Sequence, residues 1–255
     1  MAPPTPVQQV GPDLWAKRDD LFSVAGVAGG KVRTCWALAT APGDVRGLVT
    51  AGSRSSPQVS IVAHIARQLG VPCRVHTPSG KPGPEVESAI ACGATRIEHR
   101  PGYNSVIVRR AADDAAALGW RLIPFGMECK EAVRLTAQQV QNLPAECQRL
   151  VVPVGSGMSL AGILHGLVSD DNPLLVLPVL GVAVGADPSK RLDRWAPGGW
   201  RDMVQLVTSP IPYHKAAPVT TWQGLDLDPI YEAKCLPLLR PGDCLWVVGH
   251  RRLVF

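Results

Sequence analysis

The chain has 255 residues, 46% of them hydrophobic and 18% charged, with a formal net charge of +5. That length buries a substantial core as one large domain or two small ones, and the composition excludes a disordered chain. The mild positive charge suits an anionic ligand, while the lack of any run of about five or six like charges argues against a nucleic-acid-binding arm.

In chain order, MAPPTPVQQV lacks a basic region followed by an apolar stretch, so no signal peptide is expected. Residues 24–34, VAGVAGGKVRT, set Lys31 directly after two glycines. That lysine is either a solvated loop charge or an amine held for chemistry, because glycine allows left-handed backbone and close approach of another group. RGLVTAG (46–52) reads as a strand entering a turn. Residues 57–70 then read as a helix, with Ser56 at the N-cap, Pro57 in the first turn and Gly70 as the stop.

PCRVHTP gives the next strand and PGPEVESAIACGA a helix ending at Gly93. The alternation continues with TRIEHR as strand, SVIVRRAADDAAALG as helix, WRLIPFG as strand and KEAVRLTAQQVQNL as helix. RLVVPV is a strand, followed by the turn GSGMS and the helix LAGILHGL; PLLVLPVLGVAVG is rich in strand signals. From Pro188 to Thr221 periodicity fades among Pro, Trp and Arg, and DPIYEAKCLPLL and CLWVVG read as a last helix and strand. The expected fold class is α/β, with open, mostly parallel sheets and helices on both faces.

Open α/β sheets bind ligands beyond the carboxyl ends of their strands, so three junctions are candidates. At Gly155-Ser156-Gly157-Met158-Ser159 a strand runs straight into a helix, whose first amides and dipole suit a phosphate; a tight structural turn is the alternative. At TAGSRSSPQ (50–58), Ser55 and Ser56 either cap a helix or help hold a substrate carboxylate. The third is Ile123-Pro124-Phe125-Gly126-Met127, where Gly126 allows close approach.

Seven cysteines, at 35, 73, 92, 129, 147, 235 and 244, never stand as Cys-x-x-Cys. They read as thiols of a reducing cytoplasm rather than disulfide or zinc ligands. The six histidines show no paired metal spacing, so no metal is expected; His64 and His165 lie within helices, while His99 and His250 end strands and could approach a ligand. Tyr103 and Tyr213 are loop tyrosines. No stretch nears the roughly 18 apolar residues of a membrane span, and a soluble, cytoplasmic protein is expected.

Taken together, these pieces resemble the pyridoxal-phosphate enzymes of the tryptophan synthase β-like fold (fold type II). The closest branch is that of 1-aminocyclopropane-1-carboxylate deaminase and D-cysteine desulfhydrase. Lys17-Arg18-Asp19-Asp20-Leu21 and Gly29-Gly30-Lys31-Val32-Arg33 carry the resemblance near the start. Gly52 to Gln58, the Ile-Pro-Phe-Gly-Met segment, Gly155 to Ser159 and Gly224 to Lys234 carry it onward. The resemblance implies pyridoxal 5'-phosphate as cofactor, Lys31 as its Schiff-base lysine and 155–159 as its phosphate cup. It implies a substrate carboxylate held by Ser55, Ser56 and Gln58 with Gly126 nearby, and Tyr213 as the candidate catalytic tyrosine beside Lys31 and Ser56.

It further implies a homodimer and two intertwined subdomains, a smaller substrate-side one over about 46–127 and a larger cofactor-side one over about 1–45 and 128–255. Pro57 stands where the family has an asparagine toward the cofactor's ring oxygen, Gln223 where a glutamate is common, and Val248 where a threonine faces the ring nitrogen.

The expected activity is elimination or deamination on an amino acid or amino-acid-like amine. Two alternatives stand beside it. One is decarboxylation or a related step on an amino acid attached to a large anionic substrate, such as a modified nucleobase in DNA, read from Arg191, Arg194, Arg201, Arg251 and Arg252. The other is a catalytically inactive binding protein on the same scaffold.

Overall fold

The computed structural model describes residues 3–169 and 177–249. Short apolar strands alternate with helices along most of the chain. It opens with β1 (Val7–Gly11), β2 (Leu14–Arg18), the small hairpin β3 (Ser23–Val24) and β4 (Val27–Ala28), and α1 (Gly30–Ala39). There follow β5 (Leu48–Ala51), α2 (Pro57–Gln68), β6 (Cys73–Pro78), α3 (Pro84–Ala91), β7 (Thr95–His99), α4 (Asn104–Leu118), β8 (Arg121–Ile123) and α5 (Lys130–Ala137). The second half holds β9 (Arg149–Val154), α6 (Met158–Leu167), β10 (Val179–Ala183), α7 (Ser189–Trp195), α8 (Trp200–Met203) and β11 (Val204–Thr208). The hairpin β12 (Thr221–Trp222) and β13 (Leu225–Asp226), a 3-10 helix (Glu232–Leu238) and β14 (Asp243–Val247) complete the described chain.

The chain divides into two compact units, one made of residues up to 22 with those from 132 on, the other of 23–131. Residues 23–45, with Lys31, fold with the second.

The first unit is built on a six-stranded sheet in the order β1-β2-β14-β9-β10-β11. Only β1 and β2 pair antiparallel; the remaining neighbours are parallel. Strands covered on both faces read as continuous apolar runs, and β14 and β10 are buried at every position. Alternate residues separate the two cores. Leu150, Val152, Val154, Cys244 and Trp246 pack under α6 with Leu160, Ile163 and Leu164. Val151, Val182, Leu245 and Val247 face the other way, onto Ala233, Cys235 and Leu227.

The second unit carries a four-stranded parallel sheet in the order β7-β6-β5-β8. Val49 and Ala51 of β5 bury against Ile107, Ala111 and Ala115 of α4. Gly119, with φ 63°, closes α4 in the left-handed conformation that a helix stop favours.

From residue 46 on, the expected alternation of strands and helices is observed, with local differences. α6 begins at Met158, so Met158 and Ser159 are its first turn rather than a preceding loop. The stretch from Pro188 to Thr221, expected to be irregular, contains α7, α8 and β11. The expected helix over DPIYEAKCLPLL is a 3-10 helix from Glu232, because Pro237 denies it an α-helical amide.

Candidate functional site

In the four-stranded unit, Gly29 has φ 113° and leads the chain into α1 at Gly30. A side chain at that φ would be strained, so glycine sets the turn that places Lys31 in the first turn of the helix. α1 packs against α2 and against the turn at Phe125–Met127.

That turn is tied to the start of α2 by one carboxamide. Gln58 is buried; its Nε2 donates to Thr50 Oγ1 (2.9 Å) and to the Pro124 carbonyl (2.8 Å), and its Oε1 accepts the Gly126 amide (2.8 Å). Thr50 in turn donates to the Ile123 carbonyl (3.0 Å). The ends of β5 and β8 and the first turn of α2 are thereby locked together, bringing Ser55, Ser56, Gln58 and Gly126 to one region. Ser56 occupies the N-cap with extended backbone, yet its side chain makes no capping bond. Pro57 occupies the first turn, where a missing amide costs nothing.

In the six-stranded unit, β9 ends at Val154 and the chain turns through Gly155-Ser156-Gly157 into α6. Gly157 has φ 91° and, being glycine, caps the helix with no side chain, so the first-turn amides open toward the strand end. A Cβ at position 155 would come within 2.8 Å of Tyr231 Cε1. The turn is therefore a cradle with a tyrosine ring on one wall.

Glu232, the next residue, is fully buried. Its Oε1 accepts the amides of Val248 (2.8 Å) and Gly249 (3.3 Å), just past the end of β14, and its Oε2 has no hydrogen-bond partner among the described residues. Burial, and then the nearby Asp228 carboxylate, push the Glu232 carboxyl up to about 8 against those two amide bonds. Asp228 itself folds this segment, its Oδ1 accepting the Ile230 and Tyr231 amides (2.8 and 3.0 Å). Lys234 is buried and donates to the carbonyls of Pro212 (2.8 Å) and Tyr213 (3.2 Å).

Tyr231 and Glu232 are the residues that sequence reasoning missed. They lie inside the Gly224–Lys234 stretch that carries the resemblance, and a carboxylate between apolar residues in such a stretch is the signal that was available. Tyr213 lies half exposed, with its ring along Gly185, 3.6 Å from where a Cβ there would stand. Tyr231, rather than Tyr213, touches the 155–157 turn.

Lys17 is buried and donates to the Thr5 carbonyl and Asn142 Oδ1 (2.6 Å each), while Arg18 chelates Asp20, so the Lys-Arg-Asp-Asp motif holds the end of β2 in place. His99 bonds His76 (2.8 Å), which bonds Asp114 (2.9 Å); partial burial, followed by His76 and Arg110, holds His99 below the usual histidine range. Among the described residues no group of three or more His, Cys, Asp or Glu could hold a metal ion. No helix among them is long and apolar enough to cross a membrane. Of the arginine cluster, Arg201 pairs with Asp193 (2.7 Å) and Arg191 donates to the Ser156 carbonyl (2.9 Å). Arg251 and Arg252, together with His250, lie outside the described residues.

The residues fit a pyridoxal phosphate group on three counts. An uncapped helix start suits its phosphate, a buried carboxylate oxygen without a partner suits its ring nitrogen, and a first-turn lysine suits its aldehyde.

Solved structures share this fold. A homologue of ACC deaminase superposes with a TM-score of 0.74 at 21% identity, covering 98% of this chain and 90% of that one. A threonine deaminase from T.th. gives 0.72 at 19% identity (98% and 92%), and serine racemase from Dictyostelium discoideum 0.71 at 16% (98% and 93%). No curated protein matches by sequence. A family model described as pyridoxal-phosphate dependent enzyme matches residues 2–218, well over half of the chain. With a tryptophan synthase β-like fold and a donor set suited to that cofactor, the chain belongs to the pyridoxal-phosphate-dependent enzyme family.

Proposed function

We propose that the chain is a lyase that eliminates or deaminates a small amino acid or amino-acid-like amine. The observation that carries the reading is the Gln58 lock, which fixes a serine-rich, uncapped helix start next to Gly126, in the same unit as Lys31. Pyridoxal phosphate, when bound, supplies an aldehyde that holds an amine covalently and a ring that accepts electrons from the bond being broken.

The chain's own residues divide the remaining work. Lys31 would offer its Nζ for covalent attachment to the cofactor aldehyde and would move a proton at the substrate's α-carbon. The amides at the start of α2, with the Ser55 and Ser56 hydroxyls, bind the substrate carboxylate. Residues 155–159 bind the cofactor phosphate. Glu232 would hold the ring nitrogen: its carboxyl, pushed up to about 8 by burial and the Asp228 carboxylate, can carry a proton at the buried Oε2. Tyr231, on the wall of the cradle, orients the ring.

All seven cysteines are free thiols, which supports a reducing, cytoplasmic setting; a homodimer follows the resemblance. The nucleobase-linked substrate drew on the arginine cluster, in which Arg201 pairs with Asp193. Arg191 is likewise tied to the cup.

A panel of D- and L-amino acids assayed for ammonia and α-keto acid tests the proposal, with the visible absorbance of bound cofactor as a separate readout. Wild type should carry the absorbance and release both products from at least one amino acid, and Lys31→Ala should lose both properties. Bound cofactor without turnover of any amino acid would refute the lyase assignment.

A further inference from the structure

The turn at 155–159 contains glycines, serines and a methionine and carries no charged side chain of its own. A phosphate monoester brings nearly two negative charges, whereas a helix start offers only about half a positive one. α7 supplies a full charge. Pro188 and Leu192 lie against Gly157, where a Cβ would stand 3.2 and 3.5 Å from their side chains, and Leu192 is completely buried. The amides of Arg191 and Leu192 both bond the Pro188 carbonyl (2.9 and 3.0 Å), which fixes this turn of chain against the cradle. From it Arg191 Nη1 reaches the Ser156 carbonyl at 2.9 Å.

Asp187 and Asp193 of the same segment have partners of their own. Asp187 accepts the Ser189 amide and hydroxyl (2.9 and 2.6 Å), and Asp193 accepts Arg201 (2.7 Å) and Trp200 Nε1 (3.1 Å).

We propose that Arg191 is a positioning residue for the cofactor phosphate: it clamps the backbone of the cup and sets a fixed guanidinium charge beside the anion. The inference rests on the cofactor assignment and extends it to a residue outside the glycine-serine turn. A charge-assisted contact of this kind discriminates by ligand charge, and the guanidinium fork is not replaced in full by an ammonium.

The test is cofactor binding by the full-length chain, stripped and reloaded, with pyridoxal 5'-phosphate compared against pyridoxal, which has the same ring and aldehyde and no phosphate. Arg191→Gln should raise the dissociation constant for pyridoxal phosphate about tenfold or more and leave that for pyridoxal unchanged. Arg191→Lys should lose less, and inorganic phosphate should compete less well against the cofactor in Arg191→Gln than in wild type. A thermal melt checks folding; should Arg191→Gln fail to fold, the same comparison on Arg191→Lys decides, with a loss of affinity confined to the phosphorylated ligand expected. Equal weakening of both ligands, or no weakening of either, would overturn the proposal. Wild type that takes up neither ligand would instead overturn the cofactor assignment beneath it.

Discussion

The buried Glu232 makes stability depend on pH in a direction that can be worked out in advance. Its carboxyl titrates at about 8 in the folded chain against an ordinary value of 4.5. Between those values the folded protein holds a proton that the unfolded chain has released. Its stabilising contribution is therefore complete below about pH 4.5, declines as pH rises, and is gone above about pH 8. Each pH unit is worth about 1.4 kcal/mol, so the full window amounts to roughly 5 kcal/mol as an upper figure. Glu232→Gln keeps an oxygen for the Val248 and Gly249 amides and cannot ionise. Urea unfolding of the cofactor-free protein, followed by the fluorescence of its seven tryptophans, reads the effect. Wild type and variant should be of similar stability near pH 5, and the variant should be more stable by several kcal/mol near pH 8. Under the proposed pairing of Glu232 with the ring nitrogen, cofactor should narrow the gap. Parallel pH profiles for the two proteins without cofactor would refute the argument.

Other substitutions follow from the same geometry. Gly155→Ala puts a methyl group 2.8 Å from Tyr231 Cε1, and should cost about 1–3 kcal/mol in thermal unfolding and weaken cofactor uptake measured by absorbance. Gln58→Leu leaves the Gly126 amide and the Pro124 carbonyl without their partner; at least about 2 kcal/mol should be lost in urea melts, with a raised KM for the amino-acid substrate. Arg149 chelates the buried Asp243 at 2.8 and 2.7 Å. Arg149→Met should therefore cost about 3 kcal/mol in the same melts, because the buried carboxylate keeps only the Arg240 amide and the more distant Arg240 guanidinium, while leaving the cofactor absorbance per folded molecule unchanged.

What the sequence disclosed depended on how local the cause was. The start of α2 was legible because Ser56 and Pro57 are start signals within two residues of each other, and the start of α6 because a buried strand ran into glycines. α7 was not legible: Ser-Lys-Arg-Leu-Asp-Arg-Trp buries only Leu192 in full, and its first turn is stabilised by Asp187 two residues upstream rather than by a periodic face. The 3-10 segment misled for a related reason. Its spacing suits a helix, yet its polar residues answer to distant partners, Glu232 to Val248 and Gly249, and Lys234 to Pro212 and Tyr213. No local pattern encodes such pairings, so Lys31, Gln58 and the glycine turn stand out from the chain, while Tyr231 and Glu232 show in it only as a carboxylate and its neighbour among apolar residues, with no role assigned.

Sheet register explains how those distant residues meet. β9 and β14 are parallel neighbours, with Leu150 opposite Cys244 and Val151 opposite Leu245. Continued along both strands, that register sets Val154 level with Val248, so the chain leaves the two strands at the same height: Gly155 on one side, Gly249 on the other. The 3-10 helix that covers this face then needs only to present consecutive residues, Tyr231 to the first exit and Glu232 to the second. Val248 thus contributes a backbone amide, and its side chain has no part in the bond. Where the sequence departs from the family by lacking a hydroxyl, the structure places a buried carboxylate held by the Val248 and Gly249 amides.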